Sequence, residues 1–417
     1  MRTFTLLSFI FYLYSFIFTL NNNLSTTNTQ YIMDIQTTYE AEETQYVPSS
    51  RKKIRVAITH GDTNGVGYEL IFKTFSEPTI FDLCIPVVYG SAKLATYHRK
   101  AIESTTNFHL IDDAKNAVEG ELNVVNCFDR EIAVTLGHAS ADAGEAALVA
   151  LEAAVADLKA GKVDVLVTAP INKASIQSDK FHFPGHTEYL QSHFGGESLM
   201  ILTNEHMRVA LVTTHVAIKD IAAAITPESV EQKARQLYNV LRHDYLLAAP
   251  RVAVLGLNPH NGDEGTIGSE DKDIIVPVIQ KLQEEGLPVF GPYSADGFFG
   301  AGHYTKFDGI LAMYHDQGLA PFKALSMDDG INYTAGLNVV RTSPDHGVAY
   351  DIAGKGIASE NSFRQALYAA IDIFRNREID AEVTANPLPK LYQDRREDER
   401  RNFVQRPEKR TEDAAQN

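Results

Sequence analysis

The sequence predicts an α/β protein of parallel strands joined by helices. Three observations carry that expectation. Short apolar runs recur along the chain, at Lys53 to Thr59, Pro86 to Tyr89, Val163 to Thr168, Arg208 to Thr214, Arg251 to Leu257 and Phe307 to Ala312, and runs of this length bounded by turn residues read as buried strands. Segments with helical apolar spacing alternate with them, which is the pattern of layered parallel sheets. The strands also end in polar, Gly-containing turns, the place where open α/β sheets hold ligands.

Taken in order, Lys53 to Thr59 opens into His60-Gly61-Asp62-Thr63-Asn64-Gly65-Val66-Gly67 and then a helix from about Tyr68. Such a turn can seat a phosphate on backbone N–H groups, but it is neither G-x-G-x-x-G nor a Walker loop. The Ala-rich stretch Ala141 to Lys159 predicts a helix with a buried face. After the strand ending at Thr168 comes Gly185-His186-Thr187-Glu188, where His186 and a hydroxyl at a helix start suit an anion. Further helices are expected over Glu228 to Leu247 and Ser362 to Arg375, with Asp296 in a polar loop within Gly291 to Phe299.

At 417 residues the chain can bury a large core. Its formal net charge of -16 and the lack of a basic stripe argue against nucleic-acid binding. Cys84 and Cys127 have no metal-ligand partners close in sequence and do not form a disulfide framework. The expected organisation is a leader over 1–50, a catalytic domain over 51–394 and a charged flexible tail over 395–417. Thr3 to Leu20 is apolar and uncharged, which reads as a signal or anchor, or as sequence upstream of a natural start at Met33. The single Arg before it and the missing A-x-A cleavage site favour the second reading. The expectation is therefore a cytoplasmic protein without a membrane partner.

The chemistry concentrates at three strand ends. Arg208 to Thr214 delivers His215, Arg251 to Leu257 leads to His260, and Phe307 to Ala312 leads to His315 within Met313-Tyr314-His315-Asp316-Gln317-Gly318. One His past each of three buried strands is what an open three-His metal site needs. Three imidazoles suit zinc, with cobalt, manganese or magnesium as alternatives. Asp296 and Asp316 are the carboxylates expected to orient a metal-bound His or to move a proton, and the sequence does not separate them.

Taken together, Gly185-His186-Thr187-Glu188, Val212-Thr213-Thr214-His215, Leu255-Gly256-Leu257-Asn258-Pro259-His260, Met313 to Gly318 and Arg341-Thr342-Ser343-Pro344-Asp345-His346-Gly347 resemble the 4-hydroxythreonine-4-phosphate dehydrogenase family of vitamin B6 biosynthesis. The resemblance runs from about Arg55 to Leu367. It implies His215, His260 and His315 as ligands of a divalent metal, and His186, Thr187, Lys323, Asn332 and Arg341 as contacts to a phosphorylated small-molecule substrate. It implies an isocitrate/isopropylmalate dehydrogenase-like fold, two α/β/α subdomains with a cleft between them, and a homodimer with a shared active site. The stretch His346 to Ala358 resembles the nucleotide-binding loop of those relatives. That implies NAD or NADP as cofactor, with His346, Gly347 and Asp351 as its contacts; Tyr350 stands where those enzymes usually have Pro. The implied reaction is oxidation of the C3 hydroxyl of 4-phosphohydroxythreonine, followed by loss of CO2. The nearest rival is a dehydrogenase of a four-carbon sugar-acid phosphate, 4-phosphoerythronate or 4-phosphothreonate. A phosphate acyltransferase on a related fold needs neither NAD nor three His, and an exported ligand-binding protein predicts no turnover at all.

Overall fold

A computed structural model describes residues 52–387 except 129, 180, 184 and 327. The leader 1–50 and the tail 395–417 therefore lie outside the described residues. The strands are β1 (Ile54–Thr59), β2 (Cys84–Gly90), β3 (His109–Ile111), β4 (Asn123–Asn126), β5 (Val165–Thr168), β6 (Gly196–Thr203), β7 (Arg208–Leu211), β8 (Val252–Leu255), β9 (Val289–Tyr293), β10 (Gly309–Ala312), β11 (Ile331–Leu337) and β12 (Arg341–Pro344). They form one continuous sheet in the order β3-β4-β2-β1-β5-β12-β11-β6-β7-β10-β8-β9.

That order separates two parallel halves. β3, β4, β2, β1, β5 and β12 run in one direction, and β7, β10, β8 and β9 form the other parallel half. Between the halves, β12, β11, β6 and β7 pair antiparallel. The purely parallel layering expected from the sequence therefore needs a correction at its centre, where the two halves meet in an antiparallel seam. The seam closes tightly at Gly196 and Gly336. Both have left-handed φ, 91° and 77°, and a Cβ on Gly196 would lie 2.2 Å from the Gly336 carbonyl oxygen. Only glycine allows that approach.

The helices that position the site are α1 (Gly67–Thr74), α2 (Ala92–Ala101), α3 (Ala141–Lys159), α4 (His186–Phe194), α5 (Pro227–His243), α6 (Val276–Glu284), α7 (Ala295–Gly300), α8 (His315–Leu325) and α9 (Asn361–Thr384). α3 has the bounds expected from its Ala-rich pattern, and the Ser140 side chain caps it by accepting from the Ala143 N–H. Asp296 sits on α7, not in a loop, with its carboxylate accepting from the Ser294 hydroxyl at 2.6 Å. α9 runs past the expected Arg375 because its extension is anchored. Arg377 reaches Asp244 at 2.7 Å and the Tyr333 hydroxyl at 2.9 Å, and those partners are distant in sequence.

The turn after β1 holds a buried aromatic stack. His60 is fully buried and lies 5.0 Å from the Tyr68 ring, which in turn stacks on His98 at 4.9 Å. Burial lowers both His pKa values to about 4. In the unfolded chain each protonates near 6.5. Between those values the unfolded state binds more protons, so stability is full above about pH 6.5 and is lost as pH falls toward 4. The expected loss is on the order of a few kcal/mol. Thermal melts at descending pH should show it, and His98→Phe should flatten the slope. Equal slopes in the variant and the parent protein would show that these rings do not contribute.

Candidate active site

A cavity of about 410 Å³ lies against the antiparallel seam. His186 and Thr187 reach it from the start of α4, Asn332 from β11, and Arg341 from the start of β12. His215 arrives from beyond β7, and His315 and Lys323 from α8; all seven line the cavity. It is therefore assembled from strands of both halves of the sheet, at the place where strand direction changes.

Arg341 is the centre of its polar wall. The residue is 3% exposed, and burial lowers its pKa to about 10, so the guanidinium remains charged at neutral pH. Its Nε and Nη2 donate to Thr168 Oγ1 at 3.2 and 2.6 Å, and Nη1 donates to Thr334 Oγ1 at 3.0 Å. Nη2 also lies 3.1 Å from His186 Nδ1. A guanidinium can only donate, so His186 Nδ1 is the acceptor and its proton sits on Nε2. Burial first, then Arg341 and Lys173, holds the His186 pKa well below its ordinary value. The imidazole is thus neutral and offers one N–H. Among the described residues, all four hydrogen bonds of the buried Arg341 go to uncharged groups. A buried cation with neutral partners at the head of a helix is a seat for an anion.

The His pair is held by the strand ends. β7 and β10 continue pairing past their ends: Val212 N–H donates to Ala312 O at 2.8 Å, and both Thr213 N–H and its hydroxyl donate to Met313 O at 3.1 and 2.7 Å. Gln317 ties the same edge together, accepting from Met313 N–H and donating to Gly256 O beyond β8. His215 and His315 therefore face each other with ring centroids 5.9 Å apart. His315 Nδ1 lies 2.7 Å from Asp316 Oδ1. A carboxylate accepting there from Nδ1–H leaves Nε2 as the nitrogen that faces outward for ligation, the arrangement of a carboxylate-oriented metal ligand. Burial, followed by Lys173, lowers the His215 pKa, which favours the neutral ring that ligation requires.

His260 stands apart. β8 lies beside β10, so its end shares the edge with the other two, yet His260 is exposed and does not line the cavity. A left-handed run from His260 to Glu264, φ 54° at His260 itself, carries the chain away from the strand direction. Asp271 fixes the approach to this turn by accepting from the Leu257 and Asn258 N–H groups at 2.7 and 3.0 Å. Asp296 feels the charge of His260 and likewise does not line the cavity. Among the described residues no group of three or more His, Cys, Asp or Glu is close enough to hold a metal ion. Among the described residues the cavity thus brings His215 and His315 together without His260.

Of the expected cofactor contacts, His346 lies beside the cavity. His346, Gly347 and Asp351 are exposed on the turn after β12. His346 lines a recess of about 120 Å³ that shares Lys323 and Asp345 with the main cavity. This turn packs on the Gly-rich turn after β1, with Val66 N–H donating to Val348 O at 3.1 Å. Tyr350 has a specific partner, its hydroxyl donating to Asp62 Oδ2 at 2.7 Å.

Several lining residues carried no role in the sequence reading. Asp345 pairs with Lys323 at 3.3 Å, and burial raises its pKa. Lys173, Glu188 and Lys233 also line the cavity. Glu188 lies within Gly185-His186-Thr187-Glu188 and Lys173 just past a strand end, each a visible signal; nothing local marks Lys233, in the middle of α5.

The chain matches the profile of the pyridoxal phosphate biosynthetic protein PdxA over residues 82–370. It is 56% identical over 348 residues to a 4-hydroxythreonine-4-phosphate dehydrogenase of Bacteroides thetaiotaomicron, covering 83% of this chain and 96% of the relative. It is 36% identical over 327 residues to a D-threonate 4-phosphate dehydrogenase of Cupriavidus necator, covering 77% of this chain and 98% of that protein. The crystal structure of a 4-hydroxythreonine-4-phosphate dehydrogenase from Klebsiella pneumoniae superposes with a TM-score of 0.68 at 31% identity, over 78% of this chain and 99% of that one. With its mixed α/β sheet and these similarities, the chain belongs to the PdxA family of pyridoxal phosphate biosynthesis.

Proposed function

We propose that the protein oxidises 4-phosphohydroxy-L-threonine at C3 with NAD or NADP, and that the resulting β-keto acid loses CO2 to give 3-amino-2-oxopropyl phosphate. The observation that carries this reading is the buried Arg341, whose hydrogen-bond partners among the described residues are all neutral. It supplies an anion seat of the kind a phosphorylated hydroxy acid needs. The higher identity to the 4-hydroxythreonine-4-phosphate dehydrogenase than to the D-threonate enzyme, 56% against 36%, favours the amino-acid substrate.

When bound, the nicotinamide supplies a hydride acceptor, and a divalent ion, zinc or alternatively cobalt, manganese or magnesium, supplies a Lewis acid. Everything else falls to the chain. Arg341, the His186 Nε2–H and the Thr187 hydroxyl bind one anionic group at the head of α4. Lys323 and Asn332 face the same space from α8 and β11. Asp345, paired with Lys323 at 3.3 Å, is the carboxylate this reading assigns to take up the hydroxyl proton. Asp316 fixes the tautomer of His315. His346, Gly347 and Asp351 on the turn after β12 are the cofactor contacts this reading assigns. The third metal ligand, His260, and with it Asp296, comes from a second copy in a homodimer whose active sites are shared.

The test is an assay of the purified protein with each substrate, following reduced nicotinamide and released CO2. The expected result is turnover of 4-phosphohydroxythreonine with CO2 in step with reduction. A kcat/KM higher for 4-phosphothreonate or 4-phosphoerythronate would replace the substrate assignment.

A further inference from the structure

We infer that Glu188 accepts the substrate's ammonium group, and that it is the residue which selects an amino-acid phosphate over the corresponding sugar-acid phosphate. The inference rests on the proposed reaction and deepens it. Two carboxylates line the cavity, Glu188 and Asp345. Asp345 is already paired with Lys323 at 3.3 Å. Glu188 makes no hydrogen bond or ion pair with any described residue, although Lys173 lines the same wall and its stem lies close by: a Cβ on Gly185 would sit 3.7 Å from Glu188 Oε2 and 3.9 Å from Lys173 Cε. The Glu188 charge acts on both Arg341 and His215. Glu188 thus shares one cavity with the anion seat and the His pair, the two places that the phosphorylated end and the reacting hydroxyl would occupy.

The cavity is otherwise cationic, with Arg341, Lys173, Lys233 and Lys323 in its walls. A substrate bearing only a phosphate and a carboxylate would have no use for an unpaired carboxylate there. It would meet repulsion from it. A substrate that adds an ammonium beside the reacting carbon supplies the missing partner. One carboxylate thus attracts the amino acid and disfavours its hydroxy analogue, and specificity often needs both effects. Glu188 also lies in the first turn of α4, where a carboxylate stabilises a helix. That structural role predicts equal consequences for every substrate.

Glu188→Gln keeps the shape and removes the charge, and Glu188→Asp keeps the charge as a conservative rescue. For each, kcat/KM and calorimetric Kd should be measured with 4-phosphohydroxythreonine and with 4-phosphothreonate, alongside the melting temperature. Glu188→Gln is expected to weaken the amino substrate by roughly 10- to 100-fold, the range for a lost hydrogen bond between charged groups. The sugar acid should be unchanged or should improve, and Glu188→Asp should recover part of the discrimination. Equal losses on both substrates would overturn the assignment while leaving the proposed reaction standing. An unmodified protein that prefers the sugar acid would remove the proposed reaction, and the ammonium role of Glu188 with it. If Glu188→Gln does not fold, the ratio measured for Glu188→Asp decides, since unchanged discrimination with a displaced carboxylate contradicts a direct contact.

Discussion

Replacing Arg341 by Ala is expected to lower kcat/KM for the phosphorylated substrate by at least about 100-fold and to destabilise the fold as well. The two effects have separate causes. The guanidinium is the charged partner of the anion, and hydrogen bonds to charged groups contribute roughly 1.5–3 kcal/mol each. It also organises its neighbours: Thr168, Thr334 and His186 all direct side-chain acceptors at it. Its removal leaves Thr168 and His186 without that donor and Thr334 with only the Thr187 hydroxyl at 3.5 Å, at a cost of roughly 1–3 kcal/mol for each buried group that water does not reach. Arg341→Lys separates the causes. The ammonium keeps the charge but cannot present a planar fork to two threonines and an imidazole at once. Its KM should rise less than in the Ala variant, while His186 loses the donor that fixes its tautomer. Substrate kinetics and thermal melts on both variants check the prediction. An unchanged KM in a folded Arg341→Ala protein would show that the anion binds elsewhere.

Much of this site was legible before the fold was known, because it sits in local motifs. His186 and Thr187 follow Gly185 at a helix start, and His215, His260 and His315 each follow an apolar run. Those placements depend on strand and helix chemistry spread over fewer than a dozen residues. The centre of the sheet was not legible in the same way. β6 and β11 each contain a glycine, and where their antiparallel register shifts, Gly196 and Gly336 let the two backbones approach. No local pattern announces that contact across more than a hundred residues. The same limit applied to Arg341. Its motif marked it as important, but that its partners would all be neutral became visible only when β5, β11, β12 and α4 were brought together. Glu188 is an instructive case, since it stands within the Gly185-His186-Thr187-Glu188 motif and yet carries no local sign of a role of its own. An acidic residue in the first turn of a helix has an ordinary explanation, and only its lack of a partner among the described residues of a cationic cavity suggests another.

The division of the three His residues leads to the remaining large effect. His215 and His315 face each other within one chain, whereas His260 is exposed on a left-handed turn with Asp296 in its vicinity. If a second copy completes the site, as proposed above, then His315→Ala and His260→Ala remove ligands from opposite contributions. Each variant alone should lose nearly all activity and bound metal while keeping its melting temperature within a few degrees. Co-expressed, the two should form mixed dimers in which one site takes both damaged contributions and the other takes both intact ones. With random pairing and isologous two-fold symmetry, about a quarter of the parent activity should return. A mixture of His215→Ala and His315→Ala is the control. Those rings belong to the same half-site, so every site in that mixture lacks one of them and nothing should be restored. Recovery in the control mixture, or none in the His260 and His315 mixture, would contradict a shared site. Metal content discriminates further, because it does not depend on turnover: the mixed dimers should bind about half as much ion per chain as the parent protein, and a single chain that held a full equivalent with His260 replaced would show that His215 and His315 find their third ligand within the same subunit.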